Sequence, residues 1–184
     1  MRIVISGTHA SGKSTLIADF AARHPAFVVL PDPFELLDET WDAPGAGMFA
    51  AQLRIAAERL GEGDPSADLI AERGPLDFVA YLLALDEVQG TSTPRDLLAR
   101  YTSITARAMR AVDLLVVLPL SARDEIHVGA DEHLALRTAM NDVLLELIDD
   151  PELVGDGVTV AEVTGDRDER LATLEALLDD QLHG

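Results

Sequence analysis

Apolar residues fall in short runs separated by longer stretches of helical spacing. Met1–Ser6 alternates into a brief apolar strand, and Phe27–Leu30 is a second β-type run, broken by Pro31-Asp32-Pro33. Leu69–Ala71 and Leu114–Leu118 are continuous apolar runs without alternation, as expected for strands covered on both faces, and Val158–Val163 reads as a last strand. Between them lie helical patterns. Lys13–Arg23 places Leu16, Ile17 and Phe20 on one side. Ala46–Leu60 carries a stripe of Met48, Phe49, Leu53, Ala56 and Leu60. Pro75 suits the first turn of a helix reaching Leu85, and Thr93-Pro94 opens another that ends near Ala111. Glu132–Ile148 and Asp166–Leu178 complete the set. Strands alternating with helices predict a three-layer α/β fold, a five-stranded parallel sheet with helices on both faces. No internal repeat or long linker interrupts residues 1–184, which read as a single domain.

Composition narrows the possibilities. With 184 residues the chain can bury a core of its own, and its hydrophobic fraction of 48% fits a globular protein. It has no cysteine, which excludes disulfides and thiolate metal sites. Its apolar runs, such as Phe78–Leu85, are far shorter than a bilayer span, so no membrane partner is expected. The first strand runs straight into a glycine loop, unlike a signal peptide, so a cytoplasmic location is the expectation. A formal net charge of -19 argues against nucleic acid as a partner. Lys13 is the sole lysine; every other fixed cation is arginine. One position thus keeps a compact ammonium suited to phosphate oxygens.

That lysine stands in G-T-H-A-S-G-K-S, Gly7 to Ser14, which matches G-x-x-x-x-G-K-[ST] at every fixed position. Glycines let the backbone wrap with its N–H groups inward, forming an anion nest, and the following helix adds the positive end of its dipole. The expected ligand is ATP with Mg²⁺, held by Gly7, Thr8, His9, Ala10, Ser11, Gly12, Lys13, Ser14 and Thr15. Lys13 is expected to reach the β- and γ-phosphates and the Ser14 hydroxyl to bind the metal. His9 is a variable position facing solvent or substrate. A guanine-reading N-K-x-D cannot exist without a second lysine, and no apolar strand ends in the acidic pair common in motor ATPases.

Four stretches resemble the deoxynucleoside kinases and related small-molecule kinases. They are G-T-H-A-S-G-K-S-T-L; D-P-F at Asp32–Phe34; Gln52 within M-F-A-A-Q-L-R-I-A-A-E-R; and E-R-G-P-L-D at Glu72–Asp77. Their order holds across roughly the first 85 residues. Glu72–Tyr81, E-R-G-P-L-D-F-V-A-Y, is equally similar to the D-R-G-P-L-D-x-x-A-Y of AAA-domain kinase-like ATP-binding proteins. The resemblance implies the P-loop NTPase fold of nucleoside and nucleotide kinases, and transfer of the γ-phosphoryl group of ATP to a hydroxyl of a small-molecule acceptor. Asp32 would be the base or would orient the hydroxyl, with Glu35 as backup. Arg73 would steady the acceptor or the transferred phosphoryl, and Glu72 would help hold Mg²⁺. Gln52 suits a base or amide edge. Phe34, Trp41, Phe49 and Tyr81 either line the acceptor pocket or pack in the core.

The resemblance also implies a lid near residues 121–137, with Arg123 catalytic, although Asp124, Glu125, Asp131 and Glu132 outnumber it there. Arg137 either faces phosphate or pairs with an acid. Thr164–Arg167 follows the last strand, where adenine lies in such kinases. That makes Arg167 a nucleotide-binding candidate, the alternative being an ordinary turn capped by Asp166. A nucleoside-like acceptor is the first choice. A kinase for a sugar, coenzyme precursor or natural-product intermediate stays open, as does a non-catalytic ATP-binding regulatory protein. A homodimer is compatible with the resemblance.

Overall fold

The computed structural model describes residues 1–37, 45–62, 66–120 and 134–183. Five strands form one parallel sheet: β1 (Arg2–Ser6), β2 (Val28–Leu30), β3 (Leu69–Glu72), β4 (Leu114–Val117) and β5 (Thr159–Glu162). Their order across the sheet is β2-β3-β1-β4-β5. Ile5 lies opposite Glu72 on one side and Val116 on the other. The connecting helices are α1 (Lys13–Arg23), α2 (Ala46–Gly61), α3 (Pro75–Gln89), α4 (Arg95–Met109), α5 (Leu134–Leu147), α6 (Pro151–Val154) and α7 (Arg167–His183).

The strands' period of two sorts their side chains into two cores. Ile3, Ile5, Ile70, Leu114 and Val116 meet Leu16, Ile17 and Phe20 of α1 and Leu171, Leu174 and Leu178 of α7. Val4, Ala71, Leu115 and Val117 point the other way, into the layer built from α2 to α6. Within that layer α3 packs against α2, α4 and α5. From Pro75 to Leu85 every residue of α3 but Leu83 is buried, which explains the lack of a polar face there.

The expected three layers and five parallel strands are therefore observed, with differences at the ends of elements. A 3₁₀ turn, Pro33–Leu36, follows β2, and the short α6 precedes β5; neither was expected. Both start with an Asp-Pro pair whose aspartate caps the turn. α3 continues past Leu85 to Gln89 and stops at Gly90, whose φ of 64° turns its N–H back to the carbonyls of Asp86 and Glu87. α7 likewise continues past Leu178 to His183.

Candidate active site

Because all strands run in one direction, their carboxyl ends share one edge of the sheet, and β1 lies between β3 and β4 at its centre. The chain leaving β1 forms the glycine loop. The chain leaving β3 passes through Glu72 and Arg73, and the chain leaving β2 passes through Asp32. Their side chains meet in one cleft of about 690 Å³.

The loop is held by its own backbone groups. Gly7 has a φ of 146°, and a Cβ there would lie 2.8 Å from both the Leu118 carbonyl oxygen and Ser11 Oγ. Gly7→Ala is therefore expected to cost about 1–3 kcal/mol of stability and to weaken nucleotide binding. Thermal unfolding with and without MgATP checks both. The Gly7 N–H donates to Asp77 Oδ1 at 2.9 Å, and the other oxygen of Asp77 accepts from Ser6 Oγ at 2.6 Å and from the Gly74 N–H at 3.0 Å. Burial pushes the Asp77 carboxyl above its usual range, against the pull of Arg73 and of the bonds from Gly7 and Ser6.

Four successive loop carbonyls accept from cations. Thr8 O takes Lys13 Nζ at 2.7 Å. His9 O and Ala10 O take Arg137 Nε and Nη2 at 2.9 and 3.2 Å, and Ser11 O takes Arg170 Nη1 at 2.8 Å. Arg137 comes from α5 and Arg170 from α7, so helices on both faces of the sheet grip the loop. With these carbonyls committed to cations, and the Gly7 and His9 amides to Asp77 and Tyr81, the amides that follow can form the concave side of an anion nest. Lys13 is only 3% exposed. Burial, with Arg73 nearby, lowers its pKa to about 7.

Beside the glycine loop, Ser14 Oγ donates to Glu72 Oε1 at 2.8 Å. At the β2 side of the cleft, Arg73 Nε donates to Asp32 Oδ2 at 2.8 Å, while Asp32 Oδ1 accepts from the Phe34 N–H at 3.0 Å. Asp32 thus both caps its turn and faces the cleft. Arg73 has a φ of 64°, unusual for a residue with a side chain, at the sharp exit from β3. Burial opposes its charge, but Tyr81, Asp32 and Asp77 raise its pKa above the ordinary arginine value. Gln52 and Phe49, 4% and 3% exposed, also line the cleft, and Phe34 stands at its open side.

Most of the residues expected from the sequence thus meet in the cleft: His9 to Thr15, Asp32, Phe34, Phe49, Gln52, Glu72 and Arg73, with Gly7 and Thr8 buried beneath. Arg167 does not line it. Its guanidinium forms a two-point pair with Asp19 of α1, at 2.5 and 2.6 Å. The turn before it is the ordinary capped kind: Asp166 Oδ1 accepts from the N–H groups of Asp168 and Glu169, and Glu169 Oε2 accepts from that of Asp166. Arg123, Trp41 and the acids at 124, 125, 131 and 132 lie outside the described residues. Sequence reasoning assigned no task to Asp77 or Arg170. Asp77 stood inside a quoted motif. Arg170 had a subtler signal, as it shares the buried stripe of Leu174 and Leu178, where an arginine needs a partner.

Among the described residues no group of three His, Cys, Asp or Glu could hold a metal ion, and no helix is long and apolar enough to cross a membrane.

Comparison with known proteins bears on this arrangement. The family model described as an AAA domain matches residues 2–170. No curated protein matches the sequence significantly. Among solved structures, M. mycoides deoxyadenosine kinase with the products dCMP and dCDP superposes with a TM-score of 0.70 at 15% identity, over 98% of this chain and 99% of that one. Thymidylate kinase from Candida albicans superposes with a TM-score of 0.66 at 16% identity, over 97% of this chain and 91% of that one. At such identities the likeness is one of fold. The chain belongs to the AAA-domain family and has the α/β P-loop NTPase fold that nucleoside and nucleotide kinases share.

Proposed function

We propose that the protein is an ATP-dependent kinase that transfers the γ-phosphoryl group to a hydroxyl of a small, nucleoside-like molecule carrying no phosphate of its own. The observation that carries this reading is the Asp32–Arg73 pair, set in the same cleft as the glycine loop. The loop and Lys13 are the donor half. Asp32 is the base: each carboxylate oxygen keeps a lone pair beyond the bond described, enough to take the proton of an incoming hydroxyl. Arg73 spends Nε on Asp32 and turns the rest of its guanidinium to the phosphoryl in flight.

The oxygens of Ser14 and Glu72, 2.8 Å apart, fit a magnesium ion that takes its remaining ligands from phosphates and water. Mg²⁺ supplies charge neutralisation on the phosphate oxygens. With two protein donors among the described residues, its binding would depend on the nucleotide.

The charges of the cleft bear on the acceptor. Lys13 and Arg137 lie on the loop side. The acceptor end has Asp32 and Glu35 against Arg73, which is already paired. A phosphate monoester there would meet two carboxylates and one committed cation, whereas a neutral hydroxyl compound meets no such repulsion. Gln52, an amide with both donors and an acceptor, suits the edge of a base.

A panel of nucleosides, nucleoside monophosphates and sugars, each with MgATP, tests this. Nucleosides are expected to raise ADP release well above the acceptor-free rate, and monophosphates are not. Acceleration by sugars alone replaces the nucleoside assignment. No acceleration by any hydroxyl compound overturns the kinase reading in favour of a nucleotide-binding regulator.

A further inference from the structure

One side chain touches both halves of the cleft. The Tyr81 hydroxyl accepts from the His9 N–H at 2.9 Å and lies 3.4 Å from Thr8 Oγ1. Its ring stacks on Phe49 with centroids 4.7 Å apart and planes 13° from parallel. The Arg73 guanidinium carbon lies 5.2 Å from the ring centroid. Tyr81, Phe49 and Arg73 are all buried, so none can move without disturbing the next.

The loop peptide it holds is a demanding one. Ala10, the next residue, has a φ of 52°, left-handed backbone that an L-residue adopts only at a cost. His9, the residue ahead of Ala10, is held on both sides: Tyr81 accepts from its N–H and Arg137 donates to its carbonyl. Tyr81 also stands one turn after Asp77 on α3, so a single rigid helix fixes the Gly7 and His9 amides together.

We propose that Tyr81 is a positioning residue that couples the acceptor pocket to the phosphate loop. Packing against its ring at Phe49 and Arg73 sets where its hydroxyl holds the His9 amide, and so sets the loop's affinity for phosphate. The coupling is reciprocal, so a nucleotide on the loop also tightens the acceptor side. The label of acceptor rests on the proposed kinase reading; the coupling itself is tested with MgADP alone.

The test is a double-mutant cycle on the MgADP dissociation constant, measured by calorimetry for Tyr81→Phe, Phe49→Leu and the pair. Tyr81→Phe keeps the ring and loses the hydroxyl, and is expected to weaken MgADP about five- to tenfold. Phe49→Leu, on the acceptor side, is expected to weaken it about threefold by itself and to add almost nothing in the Tyr81→Phe background. Phe49→Met, nearer in bulk to phenylalanine, takes its place if leucine lowers the unfolding midpoint. Amide exchange supplies the reading that a purely structural role would not move: His9 should exchange faster in Tyr81→Phe while the amides of α3 stay protected. Additive effects on the dissociation constant, or unchanged exchange at His9, overturn the proposal. Those results leave the kinase reading standing. Absence of transfer to any acceptor would sink that reading and leave the cycle intact. If the unaltered protein binds no MgADP, both readings are overturned.

Discussion

Replacing Lys13 with alanine is expected to lower phosphoryl transfer by at least about 10²–10³-fold and to remove most of the affinity for MgATP. The chain has no other lysine, and the Lys13 ammonium lies inside the glycine loop, bonded to Thr8 O at 2.7 Å and 3.4 Å from Ser11 Oγ. Its surroundings do not fully compensate the charge, since burial lowers its pKa to about 7. A phosphate anion would complete what the protein leaves short, so on the proposed reading the ammonium would serve binding at the expense of the free fold. The Lys13→Ala protein without nucleotide should consequently unfold at a temperature no lower than the unaltered protein. Calorimetric titration with MgATP and a thermal scan of the free protein check the two halves. Retained affinity would remove the lysine from the donor site, and a large drop in midpoint would make it a structural residue.

Asp32→Asn separates transfer from binding. Rates should fall by about 10²–10⁴-fold, with MgATP affinity close to that of the unaltered protein, because Asp32 touches Arg73 and Phe34 and none of the loop. Asparagine can keep its oxygen on the Phe34 N–H and so preserve the 3₁₀ turn. Its amide nitrogen then meets Arg73 Nε donor to donor and can no longer accept a proton. Single-turnover transfer alongside nucleotide titration reads both quantities. Full transfer in Asp32→Asn would move the base to Glu35, the next carboxylate in the cleft. Loss of MgATP affinity instead would mean that the Asp32–Arg73 pair organises the donor side.

Local chemistry made much of this legible from the chain. The loop's glycines, lysine and serine carry the same spacing whatever packs around them, and strand runs such as Leu114–Leu118 declare themselves by apolar continuity. Glu72 and Arg73 were readable because they follow such a run directly. What escaped was set by partners far along the chain. The side chains of Asp77, Arg137 and Arg170 bond to backbone groups 70, 128 and 159 residues away, and backbone partners leave no trace in residue identity. Arg137 was left between phosphate and an acid, and its partners are loop carbonyls instead. Arg167 has a neighbour that the sequence does not announce. Its position after the last strand pointed to the nucleotide, but Asp19, one helix away in space, holds it. The end of α3 was misread at Leu85 because the apolar stripe fades there, whereas the stop signal is Gly90.

The grip of Arg170 on Ser11 has a consequence for how the protein is made. The loop leaves the ribosome well ahead of α7, so a clasp on its backbone is supplied 159 residues later. At ordinary translation speeds that is a delay of roughly ten to thirty seconds. During it the nascent chain presents the whole recognition motif without the brace from α7, the helix that also covers Ile3 and Ile5. A growing polypeptide therefore carries the glycine-loop motif well before it carries the clasp that braces it, and full strength at the loop arrives only with α7.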